Sequence, residues 1–166
     1  MADRMRVSRS EFEATVRKAA RGADWPPSLA EDLSRAAGAL AATGGPGGEL
    51  ALQMVEKDGR DTLAATITAF ELSLGGEAAS VTGAPSELLQ GCALCLGAEH
   101  DVGFDVAEDG EGATIMAKPE ESVEIVEIFV DPAVWSRLGA LAHKSYVPAS
   151  EASRLAGAGA GLTDND

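Results

Sequence analysis

Apolar residues recur at helical spacing through the first forty positions. Val7, Ser8, Glu11 and Phe12 stand in the order of a capping box with a hydrophobic staple, so a helix is predicted to start there. Phe12, Val16, Ala19, Ala20 and Ala23 form one apolar stripe, and Gly22 marks the predicted end. Trp25-Pro26-Pro27 forces an extended link, after which Ser28 and Glu31 repeat the capping pattern ahead of Leu29, Leu33, Ala36, Ala37 and Leu40. The short link predicts an antiparallel helix pair over 7–42, with Trp25 wedged at the corner.

Thr43 to Gly48, a glycine and proline cluster, reads as a hinge that separates this pair from the rest. Beyond it Leu50, Leu52 and Met54 alternate like a strand, whereas Leu63, Ile67, Phe70 and Leu74 fit a helix; helices are favoured for both stretches. Pro85 suits the N-terminus of a further helix, on which Leu88, Cys92 and Cys95 fall at i, i+4 and i+7. The period then changes to two. Val102, Phe104 and Val106 alternate, and Thr114 to Ala117 and Val123 to Val130 follow, which predicts an antiparallel meander. Asp131-Pro132 caps a last long helix carrying Val134, Trp135, Leu138 and Leu141. The predicted fold class is α+β, in one domain: the helix pair, an α+β body over 49–149, and a short helix with a glycine-rich arm over 150–166.

Composition narrows the function classes. The 166 residues carry a net charge of −14 and are 45% hydrophobic, which suits a globular chain rather than a disordered one. Residues 1–40 hold seven Lys/Arg against six Asp/Glu, and the remainder six against twenty-one. Arg17, Lys18 and Arg21 cluster, but Glu11 and Glu13 share their helix, so a mixed solvated face is expected. Such a field disfavours nucleic acid and anionic lipid. No apolar run reaches membrane-spanning length and the first residues lack the apolar middle of a signal peptide, so a cytoplasmic protein is expected.

Candidate chemistry is sparse. Cys92 and Cys95 have the spacing of redox and zinc pairs, with His100 and His143 as the available nitrogen ligands. The flanking leucines point instead to buried core thiols on one apolar stripe. His143 with Lys144 suits the C-terminal cap of the last helix, and His100 an exposed helix-to-strand junction. Glu120, Glu121, Glu124 and Glu127 form an acidic run whose members would point to opposite strand faces, so it reads as solvated. No metal and no cofactor is expected.

The stretch SRLAGAGAGLTDND follows a predicted helix instead of preceding one, which removes the phosphate-cradle reading. A docked arm is left as a candidate binding segment: Arg154 at its base, Gly157, Gly159 and Gly161 allowing close backbone approach, and Thr163, Asp164, Asn165 and Asp166 offering carboxylates and polar groups to a cationic pocket. The stretches VSRSEFEATVRKAARGADWPPSLAEDLSRAAGALAATG and SYVPASEASRLAGAGAGLTDND resemble an uncharacterised bacterial family, domain of unknown function 3726. The resemblance implies no activity, and it adds weight to a docked tail.

The expected function is that of a non-catalytic binding or accessory subunit, acting as a homodimer or with a protein partner. The alternative is a small thiol- or metal-dependent hydrolase or lyase. It would use Cys92 or Cys95 with His100 or His143 as base, or Asp164 and Asp166 as metal ligands.

Overall fold

The computed structural model describes residues 4–120 and 122–146. In chain order the elements are β1 (Met5–Val7), α1 (Arg9–Gly22), α2 (Pro27–Ala42), α3 (Gly47–Glu56), α4 (Arg60–Ser73), β2 (Ala79–Thr82), α5 (Ser86–His100), β3 (Val102–Glu108), β4 (Gly112–Pro119), β5 (Ile128–Val130) and α6 (Pro132–His143). The fold class is α+β, as the change of hydrophobic period predicts.

The start of α1 follows its sequence signal. Ser8 caps the helix, its hydroxyl accepting from the Glu11 N–H at 3.2 Å, and Val7 and Phe12 are both buried as a staple requires. Trp25 is buried at the α1–α2 corner. The second helix begins differently. Pro26 is its cap residue, Pro27 occupies the first turn, and Ser28 lies inside the helix without capping it. Proline wins because its fixed φ already suits the helix start and its missing N–H costs nothing there.

α2 is the centre of the molecule, with Leu33, Leu40 and the small residues Ala36 to Ala39, Ala41 and Ala42 buried. It packs on α1, α3 and α5. The 43–48 stretch is therefore a tight corner and not a hinge between separate parts: Gly47 and Gly48 belong to the first turn of α3. A Cβ at Gly47 would overlap the Ala37 carbonyl oxygen, and one at Gly91 on α5 would sit 2.7 Å from that of Ala36. Only glycine lets these backbones meet so closely.

The larger sheet has the order β2-β4-β3, all antiparallel. Its inner face sets Phe104, Val106, Ile115 and Val81 against α4 and α5, with Phe104 edge-on to Phe70 at 4.9 Å. The β3–β4 hairpin is the antiparallel pair that sequence alternation predicts. The stretch Val123 to Val130 does not continue it. Residues 122–127 are irregular, and only β5 is a strand; it pairs with β1 (Met5↔Val130, Val7↔Ile128) in a separate two-stranded sheet. The third place in the larger sheet goes to β2. The last helix is capped as expected, Asp131 accepting from the Ala133 N–H at 2.7 Å, and it lies on α1 and α3.

The packing of α2 gives an opposed pair of outcomes. Replacing Gly47 with alanine adds a good helix former but drives a methyl into the α2 backbone, and urea denaturation should show a loss of about 1–3 kcal/mol. Gly139 lies inside α6 with open space around its Cα. Gly139→Ala should therefore stabilise, by about 0.5–1 kcal/mol.

Candidate functional groove

Two depressions lie side by side where α2 ends. The larger, about 580 Å³, is lined by Arg35 and Ala39 of α2 with its cap residue Thr43, by the second half of α5 (Ala93 to Cys95 and Gly97 to Glu99) and by the start of β3 (Val102 to Phe104). Lys118, beside Gly103 in the sheet, and Glu120, Val123 and Ile125 complete the lining. The smaller, about 430 Å³, lies between the β1–α1 junction and Val126 to Ile128, over Ala42. Arg9 and Ile125 line both, so the two form one groove along the irregular stretch 122–127.

That stretch has an unusual surface. Val123, Ile125, Val126 and Phe129 are each more than 40% exposed, and Ile125 reaches 65%. Scattered exposed apolar residues are ordinary, but four within seven positions beside a groove make a patch. Among the described residues, one backbone hydrogen bond ties 122–126 to the body: the Val126 N–H donates to the Ala42 carbonyl at 2.7 Å. Among the described residues the other main-chain groups of this stretch have no hydrogen bond to the body.

The groove's cations are already engaged. Arg9 pairs with Glu13 at 2.8 Å, Arg35 with Glu99 at 2.6 Å, Lys118 with Asp105 at 2.8 Å, and Arg6, on the smaller depression, with Glu127 at 2.5 Å. The hydrogen bond from Arg35 holds the Glu99 carboxyl below its ordinary range. Asp32, one turn before Arg35 on α2, is pushed up, first by burial and against the pull of Arg35, with Glu71 and Glu31 adding to the rise.

The thiols separate. Cys92 is buried, and burial, with smaller contributions from Cys95 and Asp32, pushes it up to about 12. Cys95 is only half-buried and lines the groove, which corrects the expectation of two buried core thiols: α5 turns the two onto neighbouring faces, and Cys95 is on the one that borders the depression. Burial raises Cys95 as well, and Arg35 and Arg9 offset this only in part. Neither is an activated thiolate at neutral pH.

His100 ends α5 and His143 ends α6, both exposed, and the His143 ring lies 6.2 Å from Tyr146. α6 rests on α1 and α3, whereas α5 rests on α2, α4 and β3, so the fold places His143 and the thiols in different layers. Among the described residues no three His, Cys, Asp or Glu side chains are arranged to hold a metal ion. Glu120 and Glu127 are exposed and line the groove, Glu124 is exposed but lines neither depression, and Glu121 is outside the described residues. So are Arg154, Gly157, Gly159, Gly161, Thr163, Asp164, Asn165 and Asp166. In the basic cluster on α1, Arg17 is bonded to Glu31 of α2 at 2.6 Å and Arg21 to the Trp25 carbonyl at 3.1 Å.

Sequence reasoning did not single out Arg35, Ala39, Val123 or Ile125 as site residues. One signal was available: Ile125-Val126 is an apolar doublet that breaks the alternation of a strand. No helix of the described residues is long and apolar enough to cross a membrane. No family model, curated protein or solved structure matches the chain.

Two measurements on the thiols follow. A maleimide should label Cys95 in the native protein and reach Cys92 only on denaturation, and Cys92→Ala should cost about 1–2 kcal/mol through the cavity it leaves. The pH dependence has a definite sign. A thiol raised by folding stays protonated in the native state while the unfolded chain loses its proton above about pH 9. The native state then binds more protons, so stability falls with rising pH from about 9 toward about 12. The slope attributable to this one group is at most about 1.4 kcal/mol per pH unit. Cys92→Ala removes the group, so the stability gap between wild type and this variant should narrow across that window.

Proposed function

We propose that this protein is a non-catalytic binding or accessory subunit that works through the groove along 122–128. The observation that carries the reading is the exposed apolar strip of Val123, Ile125 and Val126, which lines the groove together with the small side chains Ala39 and Ala42 and is followed by the exposed Phe129. Apolar surface kept in water costs stability that a folded chain recovers when a partner covers it. The groove's basic side chains already have carboxylate partners, and its thiol is held protonated by burial. Both features suit recognition better than nucleophilic chemistry. A cytoplasmic protein that joins a protein partner or a second copy of itself accords with the acidic surface, and the resemblance to an uncharacterised bacterial family is compatible with this reading.

The alternative is an enzyme using Cys95 from the groove, and the test separates the two. Wild-type protein, Ile125→Asp and Cys95→Ala serve as baits for a lysate of the native cells. A binding subunit should retain a partner that Ile125→Asp loses and Cys95→Ala keeps. Retention indifferent to Ile125, or a covalent adduct formed at Cys95, would reject the reading.

A further inference from the structure

The groove also indicates what should fill it. Between Lys118 and Arg137 the sequence has no lysine or arginine, and that span includes Glu120, Glu124 and Glu127 beside the apolar patch. Glu127 is taken by Arg6, whereas Glu120 and Glu124 make no ion pair among the described residues. Glu120 thus lines the groove without a basic partner among the described residues, Glu124 stands exposed between Val123 and Ile125 of the apolar strip, and among the described residues the main chain of 122–126 makes one hydrogen bond to the body.

Resting on the binding-subunit reading, we propose that the groove receives a segment of a partner protein in which apolar residues alternate with lysine or arginine. The apolar side chains would enter on either side of Ile125, over Ala39 and Ala42, while the basic ones meet Glu120 in the groove and Glu124 beside the strip, and the backbone bonds main-chain groups of 122–126 that have no partner among the described residues. A second copy of this chain fits worse, since two such strips bring carboxylates together on surfaces that each belong to a chain of net charge −14. The acidic arm at 163–166 meets the same repulsion, because Arg9, Arg35 and Lys118 are engaged by other carboxylates.

The test uses the full chain and two synthetic peptides, one alternating valine with lysine and one alternating valine with glutamate, with affinity read by fluorescence anisotropy. The lysine peptide should bind and shield Cys95 from maleimide, and the glutamate peptide should not. Ile125→Asp should weaken the lysine peptide about tenfold or more although it adds negative charge, and Glu124→Lys should weaken it as well. Diffuse attraction to an acidic surface predicts the reverse for Ile125→Asp, so unchanged or tighter binding there overturns the proposal, as does equal affinity for both peptides. Cys95 already shielded in the free monomer would give the groove to the chain's own acidic arm or to a small molecule, and a dimer that Ile125→Asp dissociates would give it to a second copy. Either result also overturns the proposal. If Ile125-dependent retention of a partner persists while the peptides fail, only the partner's chemistry is wrong and the binding-subunit reading stands.

Discussion

The close approach of helix backbones to α2 is the constraint on which the structure depends. With aromatic residues at 4% of the chain, the core has few large side chains to fill space between well-separated helices. Small residues solve this by removing the space. Ala36, Ala37, Ala41 and Ala42 are buried, and glycines of α3 and α5 sit against the α2 carbonyls. The few rings join layers: Phe12 stacks on Trp135 of α6, and Phe70 of α4 meets Phe104 of β3. The same economy makes the groove. Where α2 runs past its neighbours, Ala39 and Ala42 have side chains too short to fill the gap, so the sequence that lets helices touch leaves a depression where none is present.

Much of this fold is legible in the sequence because its signals are local. The Ser8 cap, the Val7–Phe12 staple and the Asp131 cap each need only a few consecutive residues, and each is found in place. The corrections concern non-local competition. Ser28 is a plausible cap by composition, but Pro27 one residue earlier already starts the helix. The strands β1 and β2 have three and four residues, too short for a period to register, and they exist because β5 and β4 offer hydrogen-bonding edges. Val123 to Val130 reads as one strand since its residues favour strands, yet the ladder that would hold its first half is absent and only its last three residues find β1.

The candidate site was much less legible. Of the residues that draw attention by type, Cys92, Cys95 and His100 share α5 but differ in burial, and topology puts His143 on α6 in another layer. Those that form the groove are alanines, valines and an isoleucine, whose chemistry is unremarkable one at a time. What makes them a site is exposure. Whether Ile125 is buried depends on whether a neighbouring strand covers it, and that is settled by the pairing of the whole sheet. The Ile125-Val126 doublet hints at irregularity without revealing that both side chains end in solvent beside a depression.

Electrostatics and apolar burial have different tasks in such a groove. Ion pairs at an exposed rim contribute about 0–1 kcal/mol each, so Glu120 and Glu124 cannot supply most of an affinity. Apolar area can, at roughly 25 cal/mol per Å² before the costs of association are deducted. In the proposed complex the carboxylates would act instead on choice: they would make acidic competitors unfavourable and raise the encounter rate of basic ones. The internal pairs Arg35–Glu99 and Arg9–Glu13 support this division, because a cation already satisfied within the chain gives an acidic ligand little to gain. The acidic excess beyond residue 40, which by itself only excludes classes of ligand, thereby becomes a selective element once it is placed beside the apolar strip.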